Sequence, residues 1–227
     1  MGNGISYGRH CGAFYAHAGL LLAISLFLGA CTVLRQGGGA AENVAFFDDF
    51  SDPLGGNWHL EADAVGQAEI VDGRLLLSLN GPATAQYVTL EDQVFSDFIA
   101  DVEATQVGGP AGGSFGLLVR MPAPGQFYRF EITSNGEYVV ERHDGPAEWE
   151  RLTEDWQTSA AILTGLSQTN HLRVAASGGT FSFYANDMLL VQVVDGTYEV
   201  GAIAVDAGTF NQNELRVAFD NVVISVP

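Results

Sequence analysis

Arginine, glutamate and aromatic residues alternate in the middle of the chain, in a pattern that suits sugar binding. Protein sites hold sugars with an aromatic ring for stacking and with planar polar groups for hydrogen bonds. The six residues that provide both kinds of group are Arg120, Arg129, Glu131, Tyr138, Trp149 and Trp156. They predict a carbohydrate-binding face, and the alternative is that the tryptophans pack in the core or at a sheet edge.

Paired carboxylates for glycoside hydrolysis are a second possibility. Retaining glycosidases place two carboxyl groups about 5 Å apart on either side of the scissile bond. Glu61-Ala62-Asp63 has a suitable spacing but lies in a polar segment before a strand. Glu148 and Glu150 share one strand face but lack a third acidic residue. The sequence therefore argues against this reaction.

Four oxygen-bearing side chains near the two ends of the domain predict a structural calcium ion. Calcium requires six to eight oxygen ligands from carboxylates, amides or carbonyls. Asp48 and Asp49 belong to the first predicted strand, and Asp220 and Asn221 belong to the last. The alternative is that these side chains cap turns through local hydrogen bonds.

The elements that must position these residues are short strands. From Val44 onward, alternating or apolar runs are separated by Gly, Asn, Asp and Pro, and no segment has helical periodicity. Fourteen strands are predicted: 44–50, 68–71, 74–80, 86–90, 95–107, 115–121, 127–133, 138–143, 148–152, 171–176, 180–185, 189–194, 201–205 and 215–226. This pattern predicts one all-β domain, a sandwich of two antiparallel sheets spanning residues 44–227.

Four turn dipeptides contain residues that tolerate positive φ, namely Asp72-Gly73, Asn135-Gly136, Asp144-Gly145 and Asp195-Gly196. Side chains should alternate across the strands. Tyr128, Phe130 and Ile132 should therefore face one way, and Arg129, Glu131 and Thr133 should face the other.

The N-terminal segment carries a different chemistry. An apolar run ends in Leu28-Gly29-Ala30-Cys31, which resembles the lipobox at which bacterial lipoproteins are cleaved and lipidated. The run is too short to span a bilayer. We expect a signal peptide over residues 1–30, a lipidated Cys31, and a Gly/Ala-rich tether over 31–43. An ordinary secretory signal cleaved near Ala30 is the alternative.

This interpretation places the protein outside the cytoplasm, attached by lipid to the bacterial cell membrane or outer membrane. The other cysteine, Cys11, would leave with the signal peptide, so the mature domain would contain no disulfide. The formal net charge is −18, and all nine basic side chains are arginines. So acidic a chain argues against nucleic-acid binding and against direct adsorption on anionic lipid. A general surface adaptation, including growth in salt, explains the acidity at least as well as any binding role.

The order of several segments resembles the concanavalin A-like jelly roll, in the laminin-G-like branch found in bacterial surface proteins. The resemblance extends from about Phe46 to Pro227. It rests on these segments: 47–53 followed by Trp58, 72–75, 116–120, 127–132, 170–174, 183–187, 201–205 and 219–222. It implies the fold and leaves the function open, because this fold hosts lectins, glucanases, adhesion modules and spacers.

Three function classes are therefore expected. The first is a surface-anchored, non-catalytic module that binds glycan or cell-envelope material. The second follows a similarity to the 3-keto-disaccharide hydrolase domain, which implies an enzyme acting beside a carbonyl through Glu131, His143 or His171. The third is a structural protein-interaction module without a sugar site.

Overall fold

The computed structural model of the protein describes residues 43–54, 57–145 and 147–227. The predicted signal peptide, lipidated Cys31 and tether up to residue 42 lie outside the described residues. Within the described part of the chain, no helix is long and apolar enough to cross a membrane.

The described residues contain fifteen strands. They are β1 (Asn43–Asp48), β2 (Gly66–Val71), β3 (Arg74–Asn80), β4 (Ala85–Thr89), β5 (Phe98–Gly108), β6 (Ser114–Ala123), β7 (Gln126–Thr133), β8 (Glu137–Gly145), β9 (Glu148–Arg151), β10 (Gln157–Thr158), β11 (Thr169–Ser177), β12 (Thr180–Ala185), β13 (Met188–Val194), β14 (Ala202–Gly208) and β15 (Glu214–Val226). All fourteen predicted strands are present. The two-residue β10 was not predicted, because two residues are too few to show a period.

The strands form two antiparallel sheets. Sheet A has the order β13-β12-β11-β5-β15-β3-β2, and β1 also pairs with β15. Sheet B has the order β10-β8-β7-β6-β14-β4, and β9 also pairs with β8. The predicted all-β, two-sheet sandwich is therefore confirmed.

The core lies between the sheets and is built mainly by alternate residues of each strand. Tyr128, Phe130 and Ile132 of sheet B are fully buried and meet residues such as Phe181 and Phe183 of sheet A. The ring centroids of Phe130 and Phe183 lie 5.1 Å apart, a contact that adds to the stabilisation from area burial.

The last strand, β15, holds sheet A together. Its first half pairs with β3 and its second half pairs with β1, while β5 runs along its other side. The first and last strands are thus neighbours, with Asp48 opposite Val222. At the far edge of sheet A, β13 exposes Met188, Leu189 and Val194.

The predicted turns follow two patterns. Asp72 and Gly73 both have positive φ, 52° and 69°, as a tight hairpin requires. Asp195-Gly196 also follows a strand, but neither residue has positive φ. Instead, the Asp195 carboxylate accepts hydrogen bonds from the Tyr128 hydroxyl and the Thr197 amide. A side-chain anchor replaces the expected turn geometry there.

Gly116 is a close-approach position in the centre of sheet B. A Cβ built on this residue would lie 1.9 Å from the carbonyl oxygen of Phe130 on the neighbouring strand β7. No side chain fits there without moving the backbone of one strand.

We predict that Gly116→Ala destabilises the domain by about 3 kcal/mol, because the methyl group must push β6 and β7 apart. Urea unfolding measures the change. Gly196→Ala is the matched control, since nothing lies within 4 Å of the added Cβ and its φ is not positive. Equal stability losses in the two variants would contradict the close contact.

Candidate functional site

The outer face of sheet B carries polar side chains that lie opposite one another on neighbouring strands. Glu131 on β7 lies opposite Gly116 on β6, and Gly116 lies opposite Asp206 on β14. Tyr87 on β4 lies opposite Asp206. In the next row, Arg129 on β7 lies opposite Glu141 on β8. The sheet thus brings side chains from β4, β7, β8 and β14 into one patch.

Glu131 and Asp206 form a buried carboxyl pair across the side-chain-free position 116. Glu131 is fully buried and Asp206 is 4% exposed. The Ser114 hydroxyl donates to Glu131 Oε1 at 2.8 Å. Burial raises the pKa of Asp206 well above its ordinary value, and the negative charge of Glu131 raises it further. A proton on Asp206 lets it donate to the Glu131 carboxylate, so the two carboxyls share one proton.

Arg129 links this pair to a third carboxylate. Its Nε lies 3.1 Å from Glu131 Oε2, and its Nη2 donates to Glu141 Oε2 at 2.8 Å. Burial alone would lower the pKa of Arg129, but the carboxylates of Glu131, Asp206 and Glu141 raise it overall. The guanidinium therefore stays charged, and its ion pairs with Glu131 and Glu141 hold it in place.

Aromatic rings enclose one side of the cluster. The Arg129 guanidinium carbon lies 4.1 Å from the centre of the Trp149 ring, a cation–π contact. The His143 ring lies 4.2 Å from Trp149 and 4.9 Å from Phe127, against which it stacks. Trp149 remains 44% exposed, so part of its ring faces solvent.

These residues surround a recess of about 260 Å³. Its walls include Tyr87, Phe127, Trp149 and His143, and Arg129 and Asp206 contribute polar groups. Leu118 and Gly125 complete the lining on the β6–β7 side. The recess is smaller than most complete ligand pockets, but its mixture of aromatic walls with a few polar groups is typical of a small-ligand site.

Four buried polar atoms of this cluster have no hydrogen-bond partner among the described residues: Arg129 Nε, Glu131 Oε2, His143 Nδ1 and Asp206 Oδ1. Arg129 Nε and Glu131 Oε2 form an ion pair without the alignment of a hydrogen bond. The other two atoms, His143 Nδ1 and Asp206 Oδ1, belong to residues that line the recess. Buried polar atoms without a partner are rare and costly, so their position beside the recess points to a ligand.

A larger groove of about 1050 Å³ adjoins the recess. The two share Ala85, Gln86 and Tyr87 of strand β4 as common lining. On the far rim, His59 bridges Glu61 and Glu91 at 2.7 and 2.9 Å. Hydrogen bonds to these two glutamates raise the pKa of His59.

Three of the six predicted sugar contacts lie elsewhere. Arg120 is 1% exposed and donates to the carbonyl oxygens of Ser96 and Tyr198. Alternation would place Arg120 on the outer face, but a bulge after Val119 and a positive φ of 49° at Arg120 turn it inward.

Tyr138 and Trp156 are the other two predicted sugar contacts that lie outside this patch. Tyr138 lies in the core, where its hydroxyl donates to the Leu190 carbonyl of sheet A. Trp156 precedes β10 and packs edge-on against Phe210, with ring centroids 6.0 Å apart. The structure therefore brings together Arg129, Glu131 and Trp149 from the predicted set.

The predicted calcium residues are engaged in local hydrogen bonds. Asp48 accepts from the Phe50 amide and the Trp58 indole, and Asp49 accepts from the Ser51 amide. Asp220 accepts from the Asn221 amide. In the described residues, no group of three or more His, Cys, Asp or Glu is placed to hold a metal ion. These bonds match the turn-capping alternative, and the structure gives the calcium prediction no support.

Asp206 and Tyr87 were missed by sequence reasoning. Asp206 is the single charged residue in the apolar strand β14, and that isolation was the available signal. Of the proposed carbonyl-chemistry residues, Glu131 and His143 lie in this patch. His171 lies on sheet A, where its Nε2 is 2.9 Å from Asp101 Oδ1.

The sequence matches no family model and no curated protein. Solved structures do match. A carbohydrate-binding module (CBM66) from Bacillus subtilis has 15% identity and a TM-score of 0.59, over 75% of this chain and 96% of that chain. A protein of unknown function with a galectin-like fold, also from Bacillus subtilis, has 12% identity and a TM-score of 0.61, over 82% and 98%.

A third match is the catalytic domain of an endo-1,3-β-glucanase (laminarinase) from Thermotoga petrophila. It has 10% identity and a TM-score of 0.55, over 82% of this chain and 98% of that chain. The chain is a concanavalin A-like, galectin-like jelly roll. Identities this low establish the fold of the jelly roll and leave its ligand to be argued from the site.

The buried pair predicts a specific pH dependence of stability. Asp206 titrates near 3.8 in the unfolded chain and at a higher pH in the folded jelly roll. Its contribution to the free energy of unfolding is therefore fully present below pH 3.8 and is lost as the pH rises through the folded-state pKa. In Asp206→Asn the side-chain amide cannot ionise, so this pH-dependent contribution of residue 206 is absent.

Urea unfolding over a series of pH values measures this effect. The stability of Asp206→Asn relative to the unsubstituted protein should be constant below pH 3.8 and should rise above it. Asp72→Asn, in the exposed β2–β3 turn, is the matched control. A pH-independent difference for Asp206→Asn would contradict the shared proton.

Proposed function

We propose that this jelly roll is a carbohydrate-binding domain whose ligand occupies the outer face of sheet B. The observation that carries the proposal is the half-exposed ring of Trp149 beside a recess lined by buried, unpartnered polar atoms. Sugars present an apolar ring face to an aromatic side chain and hydroxyls to polar groups. The recess offers both within one subsite.

The adjoining groove supports an extended ligand. The recess would take one sugar unit, and the groove beyond Tyr87 would take further units of the same chain. Pockets of this combined size suit an oligosaccharide better than a free monosaccharide. The fold is compatible, since a carbohydrate-binding module and a glucanase share it.

Binding without catalysis is favoured by the geometry of the carboxyl pair. Retaining glycosidases hold their two carboxyls about 5–5.5 Å apart, on either side of the bond that breaks. Glu131 is instead fully buried and faces Asp206 across Gly116, so the two carboxyls do not flank a bond of a ligand. An interaction module with a flat face is disfavoured by the exposure of Trp149 and by the recess itself.

We also propose that the domain is exported and held at the membrane by lipid on Cys31. The support is the apolar run that ends in Leu28-Gly29-Ala30-Cys31. With a net charge of −18, the protein would be repelled by an anionic membrane, so acyl chains would supply the attachment.

We predict that Trp149→Ala weakens oligosaccharide binding at least about tenfold, because the stacking surface is lost. A glycan array identifies a bound oligosaccharide, and titration calorimetry then measures its affinity for each variant. Trp156→Ala is the matched control. The β8 partners of these two segments, His143 and Tyr138, are five residues apart, about 17 Å along the strand.

The array also tests the proposal itself. A blank array with folded protein would remove the function proposed here. Equal losses for Trp149→Ala and Trp156→Ala would place the ligand elsewhere on the domain.

Mass spectrometry of the protein isolated from membranes tests the anchor. We expect the mature chain to begin at Cys31 with attached acyl chains, and Cys31→Ser to release the domain from the membrane fraction. An unmodified N-terminus that starts before or after Cys31 would disprove the lipoprotein assignment.

A further inference from the structure

The recess carries an excess of negative charge. Three buried carboxyl groups, Glu131, Glu141 and Asp206, surround the guanidinium of Arg129, whose side chain is 15% exposed. Even with one proton shared between Glu131 and Asp206, this group of four side chains has a net charge of −1. Charges buried in a medium of low dielectric are stable only when they are paired.

The nearest additional cation does not remove the excess. Arg151 on β9 lies 3.2 Å from Glu141 Oε1, but its side chain is about half exposed. It also pairs with Asp155, which offsets its charge. The four side chains therefore keep a net negative charge, and Asp206 is the one of their three carboxyls that lines the recess.

The unpartnered atoms there are chiefly acceptors. Asp206 Oδ1 is a carboxyl oxygen that lines the recess, and His143 Nδ1 accepts whenever its proton is on the other ring nitrogen. Asp206 is more than nine-tenths buried, and it lines the recess directly. A ligand group that enters the recess must supply hydrogen-bond donors to satisfy these atoms.

The aromatic wall also favours a cation. The rings of Tyr87 and Phe127 lie 6.3 Å apart, and those of Phe127 and Trp149 lie 6.0 Å apart, all along the recess. Aromatic faces attract ammonium groups and guanidinium groups. Arg129 already occupies such a position over Trp149, which leaves the Tyr87 side of the recess for a ligand.

We propose that the recess binds the protonated amine of an amino sugar, with the ammonium group paired to Asp206 beside Tyr87. An ammonium group has three N–H donors and no acceptor, which matches an acceptor-rich recess. This inference rests on the proposed carbohydrate-binding function and names its ligand class. Anionic sugars are disfavoured, because their carboxylates or sulfates would face the same carboxyl groups.

Two tetrasaccharides that differ in one group test the proposal with the unsubstituted protein. One is the β-1,4-linked tetramer of glucosamine, and the other is its fully N-acetylated counterpart. Calorimetry at mildly acidic pH keeps the amines protonated. We expect the amine to bind at least about tenfold more tightly than the acetylated chain, and the difference to shrink at high salt.

Asp206→Asn isolates the residue responsible. When the ammonium group binds, it takes the place of the proton shared by Asp206 and Glu131, so Asp206 is ionised in the complex. Asp206→Asn keeps the shape of the side chain but cannot ionise, so affinity for the glucosamine tetramer should fall about tenfold or more. Affinity for the acetylated tetramer should change little. Asp72→Asn, which removes the same charge from an exposed turn, should leave both affinities unchanged.

The outcomes separate the two proposals. If the acetylated tetramer binds as tightly as the amine, the amino-sugar inference is wrong and the carbohydrate-binding function stands. If neither tetramer binds and a glycan array is also blank, the function itself is wrong. If the amine binds selectively but Asp206→Asn binds it equally well, the ammonium group does not pair with Asp206.

Discussion

The close approach of β6 and β7 at Gly116 is the constraint on which the outer face of sheet B depends. With no Cβ there, the backbone of Phe130 comes within a distance that no side chain allows. The empty position lets Glu131 and Asp206 reach each other from strands that are not direct neighbours. Both carboxyls are consequently buried, and Arg129 is held between Glu131 and Glu141.

The jelly roll must stabilise this polar cluster without covalent help. Residues 43–227 contain no cysteine, so apolar contact between the sheets and the hydrogen bonds of β15 provide the stability. Burying three carboxyls around one guanidinium costs free energy that an apolar patch would not. Binding sites commonly sacrifice stability in this way, and the aromatic-rich core around Phe130 and Phe183 offsets the cost.

Much of the fold followed from the sequence, because alternation and turn residues are local signals. Tyr128 and Phe130 share one face of their strand as predicted, and that face lies in the core; each predicted strand is also present. The site was harder to predict from the sequence, since it depends on the register between strands. Arg120 was wrongly assigned to the sugar-binding face, because a bulge after Val119 turns its side chain towards the core. Asp206 was missed because its partner, Glu131, is 75 residues away in sequence and meets it only across Gly116.

The exposed edge strand β13 has a consequence for solubility. Met188, Leu189 and Val194 lie on a strand that has no neighbour on its outer side among the described residues. Such an edge invites pairing between copies. A net charge of −18 opposes such pairing through mutual repulsion. The acidity thus acts as a colloidal stabiliser, and its strength falls as ionic strength shortens the range of the repulsion.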